Sequence, residues 1–269
     1  MPSSTKSPRA ASSSPPVPSP PPDSPGFHPC VVIPIYNHKD TITQVVDSLE
    51  DLELPCFIVD DGSDSSTKQV LSKINLEKQQ VEVITRSANG GKGAAVTTGL
   101  LAAFEKGFTH ALQVDADGQH QISDAQVFLE RSSSQPDALV LGRPIFADNA
   151  PKSRVYGRRV THFFVWLETL SLEIKDTLCG FRVYPLSAFK VIANKTRLRE
   201  RMDFDPEIAV RMHWAGVPVL NINTPVKYDQ KGLSHFDFKW DNLRMILLHT
   251  QLLLEMVVRL PSILFRRLG

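Results

Sequence analysis

Cysteine is scarce in this chain of 269 residues: Cys30, Cys56 and Cys179 are the only three. They form no CxxC spacing and cannot all pair, which points to reduced thiols in a cytosolic setting. Excess charge is missing too. With 30 Lys and Arg against 29 Asp and Glu the formal net charge is +1, so there is no footprint for bulk nucleic-acid binding. No segment reads as a good membrane span, because the most helical apolar stretch, 242–260, carries polar interruptions and is followed by Pro261. Aliphatic residues are almost absent from the first 27 positions, where nine of the 20 prolines and eight serines sit. Such a segment cannot offset its ordering entropy by burial and is expected to be a disordered tail; it has neither the apolar core of a secretory signal nor the arginine-rich character of a transit peptide. The hydrophobic content of 42% still supports a core of ordinary size. The expected organisation is a tail over 1–27, a domain over 28–241 and an amphipathic C-terminal helix over 242–269.

From Cys30 onward short β-branched runs alternate with helical spacing. CVVIPIY, FIVDDGS, VEVITR, HALQVDADG and the segment 138–142 read as strands. HKDTITQVVDSLEDL, SSTKQVLSKI, GAAVTTGLLAAFEKG and the segment 122–132 read as helices. This alternation predicts an α/β fold, a mainly parallel Rossmann-like sheet flanked by helices. Ligands bind such sheets at the carboxyl ends of the strands, and there the polar clusters fall: Tyr36–Asn37, Asp60–Asp61, Asn89–Lys92 and Asp115–Asp117. After about residue 143 the pattern loosens into an aromatic helical stretch over 149–175, a loop entering a strand at DTLCGFRVY, and a helix over 205–214. On the C-terminal helix Arg244, Gln251, Glu255 and Arg259 form one stripe beside a broad apolar face that includes Met245, Ile246, Leu248, Leu252, Leu253, Met256 and Val257. With Arg266–Arg267 beyond it, this suits either a helix lying on a membrane surface or one packed on the domain's own core.

The adjacent acids of LQVDADGQH pose the sharpest chemical question. An EF-hand loop fails, since position twelve is Gln126 where glutamate is required. A DxDG phosphatase nucleophile at a strand end is a live alternative. The best fit is a divalent cation, Mg²⁺ or Mn²⁺, held by hard oxygens while also gripping a diphosphate. His120, just beyond the acids, reads as structural. SANGGKGAAV is neither a Walker loop nor a GxGxxG fingerprint. It is a glycine-rich turn at a helix N-terminus with Lys92 poised as a diphosphate contact, or simply a tight turn with an exposed lysine.

VVIPIYN, IVDDGS, NGGKGAA and VDADGQH, in that order and spacing, resemble the family 2 glycosyltransferases of GT-A fold. The likeness is to the branch of dolichyl-phosphate mannose synthases and other polyprenyl-phosphate sugar transferases, and DTLCGFRVY is similar to that branch's acceptor-side motif. The resemblance spans roughly residues 30–240. By position it implies that Pro34, Tyr36 and Asn37 lie along the nucleotide, that Asp61 accepts a hydrogen bond from uracil or guanine with Asp60 supporting the turn, and that Asp115 faces the sugar and ribose. Asp117 would hold the metal, with Asp115, Gln119 and His235 as further candidates. Asp176, Arg182 and Arg143 would serve the acceptor. A lipid-phosphate acceptor, already ionised near neutral pH, needs no strong base, whereas a hydroxyl acceptor would need one. Asp205 or its rival Asp203 falls where the family places that base; both are also natural helix-capping residues. The implied activity is a metal-dependent, inverting transfer of a sugar from a UDP- or GDP-linked donor to a lipid-linked acceptor by a cytoplasmic-facing enzyme with peripheral membrane contact. A phosphatase-type hydrolase and a catalytically silent nucleotide-sugar-binding module are the alternatives.

Overall fold

A computed structural model describes residues 26–146, 152–226 and 238–268. The tail expected over 1–27 and the candidate ligand His235 therefore lie outside the described residues, save for Gly26 and Phe27. Among the described residues seven strands form one sheet in the order β3-β2-β1-β4-β6-β5-β7. They are β1 (Pro29–Ile35), β2 (Cys56–Asp60), β3 (Val81–Thr85), β4 (His110–Gln113), β5 (Leu139–Ile145), β6 (Arg182–Pro185) and β7 (Val219–Pro225). β1 pairs in parallel with β2 and β4, β2 with β3, and β5 with β7. β6 runs antiparallel between β4 and β5. The mainly parallel α/β sheet expected from the alternation is thus present, with one reversed strand inserted at its centre.

Among the described residues eight α-helices accompany it: α1 (Lys39–Asp47), α2 (Ser65–Glu77), α3 (Lys92–Glu105), α4 (Ala125–Ser134), α5 (Lys152–Thr169), α6 (Leu186–Lys195), α7 (Phe204–Trp214) and α8 (Phe238–Leu268). The period-two alternation of the strands feeds two cores. Cys30 and Val32 of β1 face α3, α6 and α7, while Val31, Ile33 and Ile35 face α1, α2 and α4. Since β1, β2 and β4 are parallel, their carboxyl ends bring the residues after Ile35, Asp60 and Gln113 to one edge.

The C-terminal helix begins at Phe238, four residues before the expected start, and Pro261 lies inside it. Its orientation is the informative part. The middle of the polar stripe turns inward, while Arg259 stays exposed: Glu255 takes two hydrogen bonds from Arg211 at 2.9 and 3.0 Å, and Gln251 accepts one from Arg199. His249 pairs with buried Glu168 of α5 at 2.7 Å. Leu248, Leu252 and Met256 are buried in the core beside this stripe. Leu243, Ile246, Leu247, Leu254, Val257 and Val258 of α8 point outward.

Candidate active site

A cavity of about 1430 Å³ opens at the carboxyl edge of the sheet and runs on between α5 and α8. Of the residues singled out from sequence, Pro34, Tyr36, Asp61, Lys92, Asp115, Asp117, Gln119 and Asp205 line it. Its far end is apolar, with Val160 and Phe164 from α5 facing Met245 and Leu253 from α8.

Charge is concentrated at one point on its wall. Lys92, the first residue of α3, reaches Asp115 Oδ2 at 2.9 Å and Asp205 Oδ2 at 3.0 Å. Burial opposes the lysine's charge, but these two carboxylates more than offset it and hold its pKa above the ordinary value. Asp115 also accepts from Gln113 Nε2 at 3.2 Å, and His120 Nε2 lies 3.4 Å away. Burial would raise the Asp115 carboxyl; Lys92 and His120 reverse that and hold it well below the usual carboxylate range. For His120, burial pushes the imidazole down, yet the bond to Asp115 lifts it to about 10. The ring is stacked on Phe181, as a structural histidine would be, but it also forms part of the cavity wall.

Asp117 differs from its neighbour. Its described contact is one hydrogen bond, from the Gln119 N–H at 2.9 Å to Oδ1. With Gln119 beside it on the cavity wall, the donor set is one lightly engaged carboxylate plus an amide oxygen. That chemistry suits Mg²⁺ or Mn²⁺, which take one or two carboxylates and complete their shell with substrate phosphates and water. It also agrees with the fact that, among the described residues, no group of three His, Cys, Asp or Glu side chains could hold a metal by itself.

The glycine-rich turn is an anion site, as expected, but its anion belongs to the protein. The Gly90 and Gly91 N–H groups donate to Asp61 at 3.0 and 2.7 Å, and Arg86 Nη1 donates to the same carboxylate at 2.6 Å. Asp60 is fully buried beneath, accepting from the Ser63 N–H at 2.8 Å, in keeping with a supporting role for the turn. Asn37, at φ 57°, accepts from the Asp64 N–H and takes no part in the cavity wall.

The acceptor-side residues are placed differently from the sequence expectation. Arg182 is completely buried under the loop 176–180. Its guanidinium is spent on the carbonyls of Cys179, Thr177 and Asp205 at 2.9, 2.8 and 3.0 Å. With Nη1 also donating to Tyr184 Oη at 3.3 Å, the guanidinium is held inside the protein and out of reach of a ligand's phosphate. Asp176 is likewise buried, accepting from Arg158 at 2.5 and 2.6 Å and from the Leu178 and Cys179 N–H groups. It anchors the loop, and Arg158 of α5, to which no sequence motif points, stands on the cavity wall instead. Arg143 is exposed on β5 and does not line the cavity. Asp203 occupies the N-cap position of α7 without a side-chain capping bond, and it too lies off the cavity wall. Burial pushes its carboxyl up.

The same pattern occurs in known proteins. The model of the Glycosyl transferase family 2 matches residues 30–198. The UDP-N-acetylglucosamine–dolichyl-phosphate N-acetylglucosaminyltransferase of Methanococcus voltae is 28% identical over 186 residues, covering 63% of this chain and 74% of that one. The dolichyl-phosphate beta-glucosyltransferase of Homo sapiens is 29% identical, covering 74% and 67%. Against a Trichomonas vaginalis dolichyl-phosphate beta-glucosyltransferase the identity is 27%, and the chain spans 64% of that protein's length. The glucosyl-3-phosphoglycerate synthase of Mycobacterium tuberculosis, solved with Mn²⁺, UDP-glucose and phosphoglyceric acid, superposes with a TM-score of 0.62 at 15% identity, covering 87% of this chain and 79% of that one. At that identity the likeness speaks for the fold alone. With the family model matching well over half its length and the acidic cluster at the carboxyl edge of a GT-A sheet, the chain belongs to glycosyl transferase family 2.

Proposed function

We propose that this glycosyltransferase moves a sugar from a UDP- or GDP-linked donor to a lipid-linked phosphate, a polyprenyl phosphate, with inversion at the anomeric carbon. The observation that carries the acceptor class is the state of Asp205. The carboxylate that would serve a hydroxyl acceptor as base is pinned between Lys92 at 3.0 Å and Arg182 at 3.4 Å. Its Oδ2 is taken by Lys92 and its buried Oδ1 faces the Arg182 guanidinium, so neither oxygen is placed to receive a hydroxyl proton. A phosphate monoester, with its second pKa near ~6, arrives already ionised and needs no base. The dolichyl-phosphate names of the relatives point the same way.

Asp117 and Gln119 would hold Mg²⁺ or Mn²⁺, and the ion would supply Lewis-acid stabilisation to the departing diphosphate. Lys92 adds a fixed positive charge beside that group, and Pro34, Tyr36 and Asp61 receive the nucleoside. Arg158, fixed by Asp176, is the better-placed cation for the acceptor phosphate. In the test, the purified full chain is given labelled UDP- and GDP-sugars with Mn²⁺, and either a short prenyl phosphate or the matching prenol. The expected result is transfer to the phosphate alone, loss of transfer with EDTA, and a product of opposite anomeric configuration to the donor. Turnover of phosphomonoesters alone would overturn the reading in favour of a hydrolase.

An acceptor with a lipid tail requires the enzyme to reach a membrane, for which we propose the cytoplasmic face. Among the described residues no helix is long and apolar enough to cross one. The outward side of α8 is instead strongly apolar: Val258 is 81% exposed, Leu254 67% and Ile246 63%, with Phe163 of neighbouring α5 at 60%. Scattered exposed apolar residues are ordinary; a contiguous set is not. The three acids of these two helices are turned away: Glu168 and Asp241 are buried and Glu255 pairs with Arg211. Arg159 and Lys239 are exposed. An apolar, cation-flanked face suits an anionic lipid surface. Changing Ile246, Leu254 and Val258 together to glutamate is expected to abolish flotation with anionic liposomes while leaving the melting temperature near wild type. Flotation unchanged by the triple substitution would rule the surface out. Truncating α8 is the wrong test, because it would also remove Leu248, Leu252 and Met256 from the core.

A further inference from the structure

Base recognition can be taken further than "uracil or guanine" by counting acceptor positions on Asp61. A carboxylate offers about four lone-pair sites. On Asp61 Oδ1, Arg86 Nη1 at 2.6 Å and the Gly90 N–H at 3.0 Å fill both. On Oδ2 the Gly91 N–H at 2.7 Å fills one. A single acceptor position is left on a buried carboxylate that lines the cavity. The guanidinium is held there by the absence of a side chain at Gly90, where a Cβ would stand 2.7 and 2.8 Å from Nη2 and Nη1.

The two candidate bases differ in the edge they present. Uracil offers one donor, N3–H, between two carbonyl oxygens. Guanine offers two adjacent donors, N1–H and the 2-amino group, which are satisfied together by both oxygens of a carboxylate. A single open site matches the first pattern. With the second, one guanine donor is desolvated against an oxygen already occupied, and an unpaired buried donor is costly. Arginine beside the carboxylate also supplies donors suited to a uracil carbonyl.

Resting on the nucleotide-sugar reading above, we propose that Arg86 is the specificity-determining residue for the base: by filling Asp61 Oδ1 it restricts the site to uridine diphosphate donors. Nothing in this role requires Arg86 to touch the reacting atoms. Its removal should open Oδ1 and admit guanosine diphosphate.

Isothermal titration of the full chain with UDP and with GDP, in the presence of Mn²⁺, tests this directly. Wild type is expected to prefer UDP by about tenfold or more, and Arg86→Ala should collapse that ratio towards unity. Gly90→Ala, which pushes the guanidinium aside without deleting it, should shift the ratio the same way, and melting curves confirm that each variant is folded. Equal wild-type affinity for the two nucleotides overturns the proposal, as does a ratio unchanged in both variants. Binding of neither nucleotide by wild type would sink the nucleotide-sugar reading itself, and the inference with it. That outcome is distinguishable from a site that binds UDP and GDP without discrimination.

Discussion

Asp117→Asn is expected to lower sugar transfer by about a hundred- to a thousandfold, the scale on which losing an electrostatic contributor to a developing charge is felt. The case rests on the contrast between two acids one residue apart. Asp115 is neutralised by the protein itself, through Lys92 at 2.9 Å and His120 at 3.4 Å. Asp117 takes one backbone N–H on Oδ1 and so keeps its charge available to a divalent ion. Asparagine preserves that hydrogen bond through its own carbonyl oxygen, so the turn should stay folded and the loss should fall on metal binding. Mn²⁺ affinity by calorimetry, measured beside kcat, separates the two effects. If Asp115→Asn weakens Mn²⁺ binding and Asp117→Asn does not, the roles of the two acids are exchanged.

Much of this site is legible in the amino-acid sequence, for a specific reason. In a parallel sheet every strand–helix unit delivers its carboxyl end to the same edge, so the acids after FIV and ALQV have to meet. What local pattern cannot carry is strand order and side-chain direction. β6 lies between β4 and β5 and runs against them, a long-range pairing that the run RVY does not encode. The run VLNINTP of β7 gives little strand signal because it is an edge strand, partly exposed and broken by Asn221 and Asn223. Motif matching locates the loop 176–180 but not its inward face. Asp176 and Arg182 therefore read as acceptor ligands, although burial makes them the loop's anchors. On α8 the pattern leaves a membrane surface and the domain's own core open, because the partners that turn Glu255 and Gln251 inward, Arg211 and Arg199, lie far away in sequence. Arg86 escapes notice for the same reason: it directly follows β3, and only the strand order, with β3 next to β2, puts it beside Asp61.

Gly180→Ala should be nearly as damaging as loss of the metal carboxylate, and for a purely steric reason. A Cβ at this position would lie 2.2 and 2.4 Å from Asp115 Oδ2 and Oδ1, far inside contact distance, so one side must move. Asp115 cannot move without breaking its link to Lys92 and leaving a buried ammonium with one partner fewer. The loop cannot move easily either. Asp176 fastens it to Arg158 and His162 of α5, and Arg182 grips the Thr177 and Cys179 carbonyls from beneath. A methyl group forced between two fixed walls costs about 1–3 kcal/mol of stability, and a displacement of about 1 Å at a reacting centre costs about a hundredfold in rate. The expected variant is folded, melts a few degrees lower, and transfers sugar about a hundred times more slowly. Wild-type turnover in Gly180→Ala would mean that the loop yields freely, and with it the argument that Asp176 and Arg182 act as anchors would fall.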